Sequence, residues 1–151
     1  EHRQLPWCRE VWPVPRVEIN PEDAAEWGIE QGDWVWIESP HGKIRETADL
    51  YYGIPRGVIN CEHTWWYPEM PAPEHGWRYS AVNQLVNNDI DDPHCGSAIV
   101  RGYPVKVYKA TADNSPFGNP CPCTEDGAEI IHDASDARLK DWAPVYEGRD
   151  Q

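Results

Sequence analysis

The stretch from Asn20 to Asn60 reads NPEDAAEWGIEQGDWVWIESPHGKIRETADLYYGIPRGVIN, and its order of helix, turn and strand signals decides the fold. Asn20 is a favourable N-cap, Pro21 suits the first helical position, and the acidic residues that follow complement the helix dipole. We therefore expect a short helix that begins after Asn20. It should end at Gly28, because glycine accepts the left-handed backbone of a helix end.

Strand-like runs lie on both sides of this helix. Val17 to Ile19 alternates in polarity and predicts a short half-buried strand, whereas Trp34 to Ile37 is apolar at every position. Such a continuous run is typical of a strand that is covered on both faces. The turn at Pro40 to Gly42 leads into a second run, Lys43 to Leu50, so we expect a hairpin. Val58 to Cys61 predicts a third strand.

The next part of the chain alternates between long loops and short strands. Glu62 to His75 contains several prolines and aromatic residues and little periodicity, which predicts a long ordered loop. Two closing strands are expected at Ala98 to Val100 and at Val105 to Tyr108.

Composition divides the chain into three parts. Residues 1–16 hold three prolines and are expected to form an extended N-terminal segment. Residues 17–110 should form the folded domain. Residues 111–151 are acidic and rich in proline, which indicates a C-terminal tail. The first residues are not a signal peptide and lack an initiator Met, so we expect a processed product or a piece of a longer protein.

The charge balance excludes several classes of partner. The chain has 26 acidic and 13 basic residues, a net charge of −13, and no cluster of basic residues. Binding to nucleic acid or to an anionic membrane surface is therefore not expected. No apolar stretch approaches the length of a bilayer span, which argues against membrane insertion. The 5 cysteines are odd in number and scattered, so we expect reduced thiols instead of a disulfide framework.

No metal site is predicted. Cys121, Cys123 and His132 offer thiolate and imidazole groups that suit zinc, but their spacing is not that of a zinc finger and a fourth ligand is not evident. The aspartates between residues 89 and 92 lack the spacing and the terminal Glu of an EF-hand loop, which favours a solvated acidic loop.

Four runs occur in order along the chain: VEINPEDAAEWGIEQGDWVWIESPHGKI, IPRGVINCEHTWWYPE, VNQLV and VKVYKA. Together they resemble the C-terminal dinucleotide-binding domain of molybdopterin oxidoreductases in the dimethyl sulfoxide reductase superfamily. The opening HRQLPWCREVWPVP is most similar to the branch that includes thiosulfate, polysulfide, tetrathionate and arsenate reductases and related dehydroxylases. The resemblance covers about residues 3 to 110.

The resemblance implies a mainly β fold, a six-stranded double-psi β-barrel with one or two short helices and long ordered loops. It implies as cofactor two molybdopterin guanine dinucleotides (bis-MGD) around molybdenum or tungsten. The partners it implies are preceding catalytic and iron–sulfur domains of the same polypeptide, which would supply the metal ligand. We therefore expect no catalytic residue in this chain. Substrate, metal and compartment would be set by those domains.

The first part of the implied site is the start of the long loop. A pterin guanine dinucleotide is flat and amide-rich at both ends and doubly anionic in the middle, so its site needs amides, an aromatic wall and N–H or cationic groups. His63 and Trp66 match a His-Gly-Trp-like segment of the family, and Trp65 or Trp66 can provide the wall. This chain has Thr64 where glycine is common.

The second part of the implied site is the VNQL element. Asn83, followed by Gln84, matches an Asn-x-Leu element whose amide faces the cofactor, although an Asx-turn is an alternative role for Asn83. Arg3 and Gln4 would approach the cofactor from the N-terminal side. Arg101 is more readily explained as a surface charge.

Two other classes of function remain to be weighed. A freestanding small β-barrel that acts as an interaction module is the alternative, since such barrels host unrelated functions. A hydrolase with a Cys nucleophile and His63 or His75 as the base is the third class, but the sequence does not indicate a catalytic triad that would include these residues. If the chain cradles a dinucleotide, its cofactor-facing surface should expose a Trp-rich patch.

Overall fold

The part of the chain that the structure describes is mainly β with few helices. The structure is a computed structural model that describes residues 5, 8, 11–67, 70, 72–87, 93–96 and 101–115. The elements, in chain order, are β1 (Arg16–Ile19), α1 (Pro21–Glu26), β2 (Trp34–Ser39), β3 (Gly42–Leu50), β4 (Ile59–Cys61), two 3₁₀ turns (Trp77–Tyr79 and Val82–Leu85) and β5 (Lys106–Lys109). The predicted predominance of strands is confirmed.

The strands form one open mixed sheet of five strands in the order β4-β1-β3-β2-β5. β1 runs parallel to β3, with Val17 opposite Ala48. The other pairs are antiparallel: β1 with β4, β2 with β3, and β2 with β5. Because β3 lies in the middle of the sheet, groups attached along it are held in fixed relative positions.

The predicted helix is confirmed with its cap. The Asn20 side chain accepts a hydrogen bond from the Glu22 N–H at 2.9 Å, as an N-cap should. Its amide also donates to the Ile54 carbonyl at 2.9 Å, which ties the helix start to the segment before β4. Gly28 has φ 68°, the left-handed conformation expected at the helix end.

The prediction that the Trp34 to Ile37 run is covered on both faces is also confirmed. Val35 and Ile37 point into a core formed by β1, β2, β3 and the second 3₁₀ turn. Trp34 and Trp36 point to the other face, where they pack with Ala110. The core buries nine residues: Val17, Ile19, Ala24, Ile29, Val35, Ile37, Ile44, Ala48 and Leu85.

One backbone hydrogen bond joins two described residues of the segment that was expected to be extended. The Trp12 N–H donates to the Cys8 carbonyl at 2.9 Å, a helical i to i−4 bond. Pro6 and Pro13 both lie outside the span from Cys8 to Trp12, so no proline removes a donor between them.

Described residues that follow the predicted domain end at residue 110 pack against the sheet. Asn114 accepts a hydrogen bond from the Trp36 indole at 3.1 Å, and Ser115 is buried and bonded to Arg45. The rest of the predicted acidic tail, the strand at 98–100, the acidic loop at 89–92 and the residues Cys121, Cys123 and His132 lie outside the described residues. Across the described ranges, no helix combines the length and the apolar character needed to cross a bilayer.

Candidate dinucleotide-binding site

The second 3₁₀ turn, Val82–Leu85, packs directly on the hairpin. A Cβ atom on Gly42 would lie 2.5 Å from the Gln84 carbonyl oxygen, so only glycine permits this approach. The Ser39 hydroxyl donates to the Leu85 carbonyl at 2.8 Å, and Leu85 itself is buried in the core. The hairpin end of β3 therefore fixes the backbone that carries Asn83 and Gln84.

A second attachment joins the long loop to the middle of β3. The Ser80 hydroxyl donates to the Arg45 carbonyl at 2.7 Å and lies 2.6 Å from the Tyr67 hydroxyl. A serine has one hydroxyl hydrogen, which goes to Arg45, so Tyr67 is the donor to Ser80. All three groups are buried. No sequence signal pointed to this bridge, because Ser and Tyr residues of this kind are common in loops.

His63 and Thr64 stand at the exposed start of the long loop. Thr64 has φ 58°, a left-handed conformation that is a genuine outlier for a β-branched residue. At this position, where the resemblance implies a glycine, the backbone thus has the conformation that glycine favours. Strain of this kind persists where the surrounding structure imposes it and is frequent at functional sites.

The two tryptophans that follow have different environments. Trp65 is 6% exposed and packs with Tyr67 and Met70 in a small core of its own. Trp66 is half-buried, so part of its ring is available to a ligand. Of the two residues predicted as a ring wall, Trp66 is the better placed.

His75 contacts Trp66 and was not among the predicted cofactor-binding residues. Its ring meets the Trp66 ring edge-on, with centroids 5.5 Å apart, and its Nδ1 lies 2.8 Å from the Met70 carbonyl. The Tyr67 N–H donates to the His75 carbonyl at 2.7 Å. The following Gly76, at φ 63°, has no room for a Cβ beside Met70, so the His-Gly pair was the available sequence signal.

Asn83 is exposed, and within the ranges described here no hydrogen bond of its side chain is present. The Asx-turn alternative requires such a bond to nearby backbone. The geometry therefore favours an amide directed to solvent or to a ligand. Gln84 is half-buried beside Gly42, and Arg101 is exposed. Arg3 and Gln4 lie outside the described residues.

A cation that sequence reasoning did not select lies just after the long loop, in the first 3₁₀ turn. Arg78 stacks over the Trp77 ring, with its guanidinium carbon 4.9 Å from the ring centroid. It also bonds Glu74 through two hydrogen bonds of 3.1 Å each. These bonds raise the pKa of Arg78, so it stays charged.

Glu62, the residue before His63, ends the β1–β4 ladder. Its N–H donates to the Arg16 carbonyl at 3.2 Å, and its carboxylate accepts from the Arg16 N–H at 3.4 Å. Burial raises the pKa of Glu62, whereas the bonds from the Arg16 N–H and the Trp12 side chain and the Arg16 charge lower it. Within the described residues, no group of three or more His, Cys, Asp or Glu side chains is arranged to hold a metal ion.

Comparison with known proteins identifies the family. Residues 1–103 match the family described as Molydopterin dinucleotide binding domain. The chain is 65% identical over 150 residues to a dopamine dehydroxylase from Eggerthella lenta, a match that covers 99% of this chain and 15% of that protein. It is 31% identical over 108 residues to the acetylene hydratase of Syntrophotalea acetylenica, covering 67% of this chain and 15% of the relative.

A solved structure gives the same result. The structure of acetylene hydratase from Pelobacter acetylenicus superimposes with a TM-score of 0.63 at 27% identity, over 68% of this chain and 15% of that one. The chain thus spans about 15% of the length of each of these relatives. On the match over residues 1–103 and these relatives, the chain belongs to the molybdopterin dinucleotide-binding domain family of the dimethyl sulfoxide reductase superfamily.

Proposed function

We propose that this chain holds a molybdopterin guanine dinucleotide as the C-terminal cofactor-binding domain of a larger molybdenum or tungsten oxidoreductase. When bound, the bis-MGD group supplies the redox-active metal centre. The partners would be catalytic and iron–sulfur domains of the same polypeptide. In this proposal the chain contributes binding and orientation, and no catalytic residue.

The observation that carries the proposal is that the segment with Asn83 and the segment with His63 are anchored at two separate points beside β3. The turn with Asn83 is attached at Gly42, and the loop with His63 leaves the sheet beside Arg16, which is paired with Thr47. Thr47, the partner of Arg16 on β3, lies five residues along that strand from Gly42, roughly 17 Å at 3.4 Å per residue. Such a spacing suits an elongated ligand that has a polar ring at each end.

The chemistry of the available groups fits that ligand. His63 is exposed and can donate to a phosphate or to a pterin nitrogen, and Trp66 can cover a ring face. Asn83, with Gln84 beside it, offers an amide that matches the amide-rich edge of a pterin or guanine. In the proposal, Trp65 stabilises the loop by packing against Tyr67 and Met70. Arg3 and Gln4 would approach from the N-terminal side.

We further infer the complete barrel. The described sheet has β4 and β5 as its two edges. The six-stranded double-psi β-barrel that the resemblance implies would contain one strand more than the five of this sheet. The proposed domain comprises residues 17–110, flanked by the N-terminal segment 1–16 and the tail 111–151.

The test is the pterin content of the full-length protein. His63→Ala should lower retained pterin about tenfold or more, since a hydrogen bond to a charged group contributes about 1.5–3 kcal/mol. Asn83→Ala should lower it severalfold, since a neutral hydrogen bond contributes about 0.5–1.5 kcal/mol. Fluorescence of the oxidised pterin measures it. Gln31→Ala is the matched control, because it also removes a side-chain amide but acts at the Leu50 end of β3. Normal pterin content in both site variants would refute the proposal and favour an interaction module without a redox role.

A further inference from the structure

Glu46 is a carboxyl group inside the main core. It lies in β3 opposite Val35, on the same face of the sheet as Ile44 and Ala48, and it is 0% exposed. Within the described part of the chain, neither carboxyl oxygen has a hydrogen-bond partner in good geometry. An ionised carboxylate without a partner is very costly in such a place, so the group is neutral.

The titratable groups near Glu46 come from two parts of the chain. Cys61 and Glu62 lie at the end of β4 and directly after it, and Tyr103 packs against the core ahead of β5. Arg16 lies on the other face of the sheet, with its guanidinium over the Trp12 ring and 4.0 Å from Asp49. Burial holds the pKa of Glu46 well above its usual value, and the Glu62 charge raises it further, while the Glu62 N–H lowers it. Burial and the neighbouring Glu46 also raise the pKa of the Cys61 thiol, so that thiol stays neutral.

The hydrogen bonds between Glu62 and Arg16 differ from those of a regular antiparallel pair. In an antiparallel pair, Arg16 and Glu62 would exchange two backbone hydrogen bonds. The Glu62 N–H makes the first, but the Glu62 carboxylate takes the place of its own carbonyl in the second. The backbone carbonyl of Glu62 is thereby released from the ladder, and the chain can turn away at His63 into the left-handed Thr64.

We propose that Glu46 is a positioning residue: by staying neutral in the core, it lets the Glu62 carboxylate hold the end of β4 and so sets where His63 and Trp66 stand. A negative charge on Glu46 would repel the Glu62 carboxylate across the beginning of β1 and release this end of the loop. The role of the positioned loop in cofactor binding rests on the proposed function above.

The experiment compares Glu46→Gln with the wild type in the full-length protein. Glu46→Gln keeps the shape of the side chain and cannot ionise, and Glu46→Met serves the same purpose should the amide not be tolerated in the core. Glu30→Gln, which makes the same change at an exposed position, is the control. Hydrogen exchange of residues 62–67 and pterin content are measured from pH about 6 to about 9, the range in which buried glutamates ionise.

In the wild type, loop protection and pterin retention should fall severalfold as the pH rises, and in Glu46→Gln or Glu46→Met both should stay constant. The Glu30→Gln control should follow the wild type. Infrared spectroscopy should show a protonated carboxyl at neutral pH that Glu46→Gln removes. Identical pH profiles in wild type and Glu46 variants, or no such carboxyl band, would overturn the inference.

The same data separate this inference from the proposed function. If loop protection follows the charge of Glu46 while pterin content stays constant in every variant, Glu46 positions the loop, and the loop is not the dinucleotide site. If His63→Ala loses pterin but the Glu46 variants match the wild type at every pH, the site stands and the role of Glu46 is refuted.

Discussion

Thr64 holds a β-branched side chain at φ 58°. The left-handed conformation costs an ordinary residue about 1–2 kcal/mol, and the greater freedom of glycine in the unfolded chain offsets about 0.5–1 kcal/mol of any gain. Thr64→Gly should therefore raise the free energy of unfolding by about 0.5–1 kcal/mol, as measured by urea denaturation. Thr64→Ala keeps the Cβ and should gain less. An equal gain in both variants would show that φ is not the cause.

Tyr67 donates to Ser80 inside the protein, where the lost partner cannot be replaced by water. Tyr67→Phe should lower the free energy of unfolding by about 1–2 kcal/mol. Tyr52→Phe is the matched control, because Tyr52 is 77% exposed and its hydroxyl stays hydrated. Chemical denaturation measures the free energy of unfolding of both variants. An equal decrease in the two variants would argue against a specific role for the Tyr67–Ser80 bond.

From the sequence, candidate site residues could be selected only where a local motif or the family resemblance marks them, and residues defined by tertiary contacts could not be selected. His63, Trp66 and Asn83 belong to short motifs. By contrast, the roles of Ser80 and Glu46 depend on which strand they face. An isolated Glu in IRETADL is normally read as solvent-exposed, because buried carboxyls are rare.

At the level of elements, α1 is joined to the segment before β4 through Asp23. This buried carboxylate accepts bonds from the Arg56 Nε at 2.7 Å and from the Gly57 N–H at 2.6 Å. The Arg56 bond first, and the Gly57 N–H second, lower the pKa of Asp23. A depressed pKa means that the stabilisation is complete above the unfolded-state pKa and is lost as the pH falls through the folded-state value.

We therefore expect Asp23→Asn to lower the Tm at neutral pH and to approach the wild-type Tm below pH about 4. Thermal melts from neutral to acid pH measure the difference. Glu22→Gln provides the control on the same helix, since Glu22 is exposed and 3.4 Å from Arg56. A Tm difference between Asp23→Asn and wild type that does not change with pH would show that the charge of Asp23 is unimportant.

Elements with local determinants could be predicted from the sequence. The cap at Asn20 and the turn between β2 and β3 lie within a few residues of the structure they specify. The parallel alignment of β1 with β3 and the attachment of β5 to β2 could not be predicted in the same way. Strand patterns state that a face is buried, but they do not state which strand is the neighbour.

Over the whole molecule, the net charge of −13 makes like charges repel one another, both within the folded domain and along the acidic segment that follows it. Raising the ionic strength from about 0.01 M to about 0.15 M shortens the Debye length from about 30 Å to about 8 Å and screens this repulsion. The Tm should therefore rise with NaCl over this range. A fall in Tm would mean that attractive groups, such as Arg56 with the acidic face of α1, outweigh the net repulsion.

The pairing of β5 with β2 has a consequence for biosynthesis. Tyr108 and Glu38 join these strands across 70 residues of sequence, so a nascent chain exposes the WVWI edge of β2 until β5 has been made. At about 5–20 residues per second, this interval lasts roughly 4–14 s. An uncovered apolar strand edge is a template for aggregation. Chains that stop before β5 should therefore aggregate or be retained by chaperones. Synthesis of β5 is thus the step that covers the β2 edge and ends this risk of aggregation.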